Sequence, residues 1–235
     1  MNSFIVEFWC RTFSVLAKLS LFALVARIRP SIVSARFVDA WVLGHLLLAI
    51  VSVAAITSLP PHHPIAFALV GYGTLRVIEI AAYQVNVLLF DEYRAVKAGK
   101  PYELHGYRRI VLLLLHNYAE IIFWLGCTYT VLADDYVHKW DSGAHTTLGA
   151  IYSSFITMTT FGDFDLLPKS DLAAIILLFH ATVGLFMTLL SLARFISLIP
   201  APKTRDPIEL KQLQRASSAG GKVSNGQKAI RRGRN

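Results

Sequence analysis

The sequence predicts an all-α membrane protein with four transmembrane helices, a re-entrant segment between the third and fourth, and an amphipathic N-terminal helix. Three observations predict it. Hydrophobic residues make up 54% and charged residues 16% of the 235, where a soluble domain carries about 25% charged residues. Mean hydropathy is +0.50. Four stretches reach the ~20 predominantly apolar residues that a bilayer core requires. Lys and Arg fall in alternate connections between those stretches, as the positive-inside rule demands.

The spans run about Phe37 to Ser58, Pro64 to Phe90, Ile110 to Ala133 and Leu172 to Ile199. Residues 1–36 hold Arg11, Lys18, Arg27, Arg29 and Arg36, and the link 59–63 holds no Lys or Arg. Residues 91–109 hold Arg94, Lys97, Lys100, Arg108 and Arg109. Residues 134–170 hold only Lys139 and Lys169, against five aspartates. The segment after residue 202 carries nine Lys/Arg and two acids, Asp206 and Glu209. Both termini are therefore expected in the cytoplasm of a multi-pass protein of the cell membrane.

The segments divide the chain into four parts. Residues 1–35 form an interfacial amphipathic segment: Ser3, Glu7, Arg11, Ser14 and Lys18 share one helical stripe among Phe, Ile, Val, Trp and Leu. A fifth span is the rival reading of this region. Residues 36–106 form a two-helix membrane hairpin and a cytoplasmic linker. Residues 107–200 contain the third and fourth spans and the re-entrant segment. Residues 201–235 form a basic tail, rich in Ser, Gly and Gln, expected to be disordered except for a short helix over Ile208–Arg215. The net charge of +8 is concentrated in that tail, which argues against a nucleic-acid partner and suits anionic membrane lipid.

Residues 134–171 carry the chemistry. Asp134 to Ser142 read as an exposed loop. Thr146 or Thr147 caps a short helix over LGAIYSSFITMTT, and Ser170 caps the fourth span. A short helix followed by irregular backbone at membrane depth is tolerated only where protein buries it or water fills a lumen. The run Thr157, Met158, Thr159, Thr160, Phe161, Gly162, Asp163, Phe164, Asp165, with Pro168 following, resembles the selectivity-filter signature of the potassium-channel pore-loop family, T-x-T-T-V-G-Y-G-D-x-x-P. Thr157, Thr159, Thr160, Gly162, Asp165 and Pro168 match it without gaps. The resemblance covers about Tyr107 to Ile199.

That resemblance implies a pore domain of outer helix, pore helix, filter and inner helix, assembled as a homotetramer that conducts monovalent cations. Ion-conducting residues would be Thr159, Thr160, Phe161, Gly162, Asp163, Phe164 and Asp165. Backbone carbonyls of Thr160, Phe161 and Gly162 would hold potassium in transit, and Gly184 would be a gating hinge in the inner helix. Phe161, Asp163 and Phe164 depart from the family's Val, Tyr and second Gly. A bulky residue at the second glycine cannot cheaply adopt the backbone that directs every carbonyl inward. Potassium conduction is therefore expected with selectivity weaker than typical of the family. The alternatives are a non-selective sodium/potassium channel and a non-conducting subunit of another channel. No cofactor is expected beyond potassium or sodium ions as permeant species.

Other candidates have plainer readings. Val70-Gly71-Tyr72-Gly73 matches a filter core literally, but no threonines precede it and no aspartate follows it, so helix packing is the better reading. Arg76 and Glu79 are three apart and form a neutralised pair. Asn117 and Glu120 in the third span serve packing. No helix carries the arginines at spacing three that a voltage sensor needs. His180 faces a neighbouring helix rather than a pore. His62 and His63 lack a visible third metal ligand, and Cys127 reads as a small buried apolar residue. No Ser/His/Asp or Cys/His set and no phosphate-binding loop is present, so an enzyme is not expected.

Overall fold

The computed structural model describes residues 3–18, 20–60, 62–101, 107–138, 143–159 and 166–198. The basic tail, with the short helix expected at 208–215, lies outside them. Among the described residues, four helical segments are long and apolar enough to cross a membrane: 35–56, 64–97, 108–131 and 171–196. The chain fits a multi-pass membrane protein.

Local sequence sets most helix boundaries. Helix α1 (Phe4–Lys18) and α2 (Leu21–Ile28) are 15 and 8 residues long, each too short for a span. Ser20 separates them, accepting the backbone N–H of Ala23 at 3.0 Å as an N-cap. In the α1 stripe, Glu7 and Ser14 turn toward Lys97 and Arg94, while Arg11 and Lys18 stay exposed.

Helix α3 (Ala35–Ile56) begins at Ser34, whose Oγ accepts Phe37 N–H at 3.2 Å. Helix α4 (Pro64–Val85) has Pro64 in its first turn, where a missing N–H costs nothing. The second span does not stop at Phe90. A π-helical turn, Asn86–Phe90, carries α4 into α5 (Asp91–Lys97). Arg94 bridges this turn, donating to Asn86 Oδ1 at 2.8 Å and pairing with Asp91.

Helix α6 (Tyr107–Val131) packs against α3, α4 and α7, and α3 and α4 touch each other far less than either touches α6. Arg109 fixes the start of α6 against α3, donating to Asp39 Oδ1 from Nε at 3.1 Å and Nη2 at 2.9 Å. The buried side chains of α6, Ile121, Trp124, Leu125 and Tyr129, form the middle of the core with Val53, Val77, Met158 and Met187. Lipid is as apolar as these side chains, so the helices are held by close packing and internal polar contacts rather than by the hydrophobic effect.

Helix α7 (Thr147–Thr159) has 13 residues and starts at Thr146, whose Oγ1 accepts Gly149 N–H at 3.1 Å. Of the two candidate caps, Thr146 takes the role. The expected loop at 134–142 contains a strand, β1 (Tyr136–His138), paired antiparallel with β2 (Leu166–Pro168) in the register Tyr136↔Pro168, Val137↔Leu167 and His138↔Leu166. Three residues are too few to show a period-two pattern, and only the pairing across 30 residues makes them a strand. Helix α8 (Asp171–Leu198) is unbroken and is capped by Ser170, which accepts Ala173 N–H at 3.2 Å.

Candidate functional site

The 13-residue helix α7 spans about 20 Å at 1.5 Å per residue, less than the hydrocarbon core. Its first residue lies beside the end of α3, with Thr147 Oγ1 2.9 Å from Thr57 Oγ1. Its last turn lies against the middle of α8. One face is buried through Ala150, Ser153, Ser154, Thr157 and Met158, and Ser154 donates to Ile122 O of α6 at 2.7 Å. The hydroxyls of Thr157 and Thr159 donate back to Ser153 O and Phe155 O, each at 2.8 Å.

The C-terminal end of α7 is held from two sides. Tyr118 Oη of α6 donates to Met158 O at 3.1 Å and lies 3.2 Å from Thr188 Oγ1 of α8. A Cβ on Gly184 would come within 2.6 Å of the same carbonyl and 3.1 Å of Met158 Cα. Glycine is required there for close approach of two backbones, a role separate from the expected hinge. Thr159 ends α7 and leads directly into the filter-like run. Thr160, Phe161, Gly162, Asp163, Phe164 and Asp165 lie outside the described residues.

Around this end the core is polar, and His180 Nε2 is buried with no hydrogen-bond partner among the described residues. His180 of α8 is fully buried, and its Nδ1 lies 2.7 Å from Tyr129 Oη of α6. It faces a neighbouring helix, as expected. Tyr136 of β1 donates to Ala173 O at 3.0 Å, and burial, with the Asp135 carboxylate beside it, pushes its phenol up to about 12. These contacts tie β1, α6 and α8 into one frame around α7.

A second polar centre lies between α4 and α6. Arg76 Nη1 donates to Glu79 Oε2 at 2.5 Å, Nε to Glu120 Oε1 at 3.0 Å and Nη2 to Glu120 Oε2 at 3.2 Å. Trp124 Nε1 donates to Glu120 Oε1 at 3.1 Å, and Phe22 N of α2 to Glu79 Oε1 at 2.9 Å. The Arg76 guanidinium stands 6.0 Å from the centre of the Trp41 ring. The sequence paired Arg76 with Glu79 and treated Glu120 separately, whereas the structure joins all three. The spacing Asn117, Glu120, Trp124 already placed those residues on one face of the third span and was the available signal.

The remaining candidates are resolved locally. Val70, Gly71, Tyr72 and Gly73 lie inside α4, where a Cβ on Gly73 would meet Trp124 Cε3 at 2.6 Å. His63 caps α4 by accepting Ile65 N–H at 3.3 Å. Cys127 is fully buried. Among the described residues, no group of three or more His, Cys, Asp or Glu is placed to hold a metal ion. Comparison with family models, with curated proteins and with solved structures found no match to this chain.

Proposed function

We propose that this protein is a homotetrameric cation channel of the cell membrane that conducts potassium passively, with selectivity weaker than a typical potassium channel. One observation carries the reading. A helix too short to cross the bilayer lies between two spanning helices, ends against the middle of α8, and leads into Thr159-Thr160-Phe161-Gly162-Asp163-Phe164-Asp165. Backbone that is neither helix nor barrel is tolerated at that depth only beside protein or a water-filled lumen. Each chain supplies one such loop, and four around an axis enclose a filter.

Carbonyls of Thr160, Phe161 and Gly162 would replace part of the ion's hydration shell. Asp163 and Asp165, repeated four times, would concentrate cations at the mouth. The C-terminal end of α7 carries the negative end of its helix dipole, which favours a cation beyond it. Apolar side chains on α7 and α8, including Tyr152, Phe155, Phe186 and Leu189, are exposed in the single chain and are available to neighbouring subunits or lipid.

Asp163 and Phe164 favour a second reading, a non-selective sodium/potassium pore, because they stand where the family keeps Tyr and Gly. Flux from liposomes containing only the purified protein separates the readings. Faster potassium than sodium flux supports the first, and equal flux the second. A species no larger than a dimer after cross-linking in membranes would overturn both.

A further inference from the structure

The charged centre between α4 and α6 opens onto a cavity of about 250 Å³, bordered by α1, α2, α3, α4 and α6. We propose that this cavity binds a primary ammonium group carried on a small apolar body. Its polar lining includes Arg76, Glu79 and Asn117, and its apolar wall includes Trp41, Val42 and Leu113.

The charge balance identifies the ligand class. Two carboxylates, Glu79 and Glu120, share the single guanidinium of Arg76. With both ionised, the centre carries one uncompensated negative charge where such a charge is costly. Nε, Nη1 and Nη2 of Arg76 each already donate to a carboxylate, and two carboxylates beside one guanidinium repel an anionic ligand. Glu79 is the carboxylate that borders the cavity, and its Oε1 accepts only the Phe22 N–H.

A second observation points to a ligand independently. Asn117 is 5% exposed and borders the cavity, and its amide makes no hydrogen bond to a described residue. The cavity it borders leaves that amide open to a ligand atom. An ammonium bridging Glu79 and Asn117 Oδ1 would give that amide a partner and would offset the second carboxylate's charge when both are ionised. A bare metal ion does not suit the site, because one carboxylate and one amide leave most of its shell unreplaced. The volume lies below the ~300–1,000 Å³ of drug-sized sites, which selects a short chain of about six carbons or a lipid's amino headgroup.

The test uses the full chain in nanodiscs of phosphatidylcholine, which lacks a primary amine, with labelled hexylamine as probe and 1-hexanol as neutral control. The expected result is one saturable site per chain, with hexylamine held at least about tenfold more tightly than 1-hexanol, since a hydrogen bond to a charged group contributes at least that factor. Glu79→Gln and Asn117→Leu should each weaken hexylamine about tenfold while the protein keeps its elution volume. Asn117→Leu removes the amide at similar volume, so it remains informative if the charge variant misfolds. Equal binding of amine and alcohol, non-saturable uptake, or hexylamine binding unchanged by Asn117→Leu would each overturn the proposal. Competition by added phosphatidylethanolamine supports it with a lipid as the source, and saturable binding without that competition supports it with a soluble amine.

Discussion

The carbonyl oxygen of Met158 lies so close to Gly184 that a Cβ there would stand 2.6 Å from it. The last turn of α7 and the middle of α8 therefore meet backbone to backbone, and Tyr118 of α6 donates a hydrogen bond to the same carbonyl. This contact fixes where the chain leaves α7 for the filter-like run. Three predictions follow from it and from the charged centre, and a fourth from the proposed pore mouth.

Gly184→Ala forces α7 and α8 apart by the width of a methyl group. Overpacking of this kind costs about 1–3 kcal/mol. The thermal midpoint of the purified protein should fall, and potassium flux from liposomes should fall with it. Wild-type melting and flux in Gly184→Ala would show that the contact does not position α7.

Tyr118→Phe removes one hydroxyl and leaves the ring in place. The loss should be about 1 kcal/mol, the net worth of a neutral hydrogen bond. Because the lost bond ends on Met158, the ratio of potassium to sodium flux should shift more than the melting midpoint does. A lower midpoint with an unchanged flux ratio would leave Tyr118 a structural role only.

Arg76→Met strands two carboxylates with one another. Breaking a buried ion pair from one side costs about 3–5 kcal/mol, whereas replacing all partners by apolar residues is often neutral. Arg76→Met should aggregate or melt early by fluorescence-detected size exclusion. Adding Glu79→Leu and Glu120→Leu should restore most of the stability. A triple variant no better than Arg76→Met would mean that the charges serve more than mutual neutralisation.

Asp163→Asn removes one charge per subunit from the proposed mouth. Cation flux should fall most at low salt, where surface charge is least screened. Equal flux at every salt concentration would take Asp163 out of the conduction path.

The four spans were legible in the sequence because crossing length and hydropathy belong to contiguous segments. The same holds for the caps at Ser34, Thr146 and Ser170, where a side-chain oxygen reaches an N–H three residues on in the same helix. The break between α1 and α2, the strand Tyr136–His138 and the continuation of α4 through a π turn were not legible. Each is short and carries no periodic pattern of its own.

What the sequence alone determined is the number of spans, their approximate ends, and a short helix leading into the filter-like run. The tertiary structure decided which residues meet: Arg76 with Glu120 across 44 positions, His180 with Tyr129 across 51, and Met158 with Gly184. The reason lies in the helices themselves. A membrane helix that is apolar all round has no sequence-encoded inner face. Its rotation is set by small residues and polar partners on neighbouring helices, and those contacts exist only once the helices have packed.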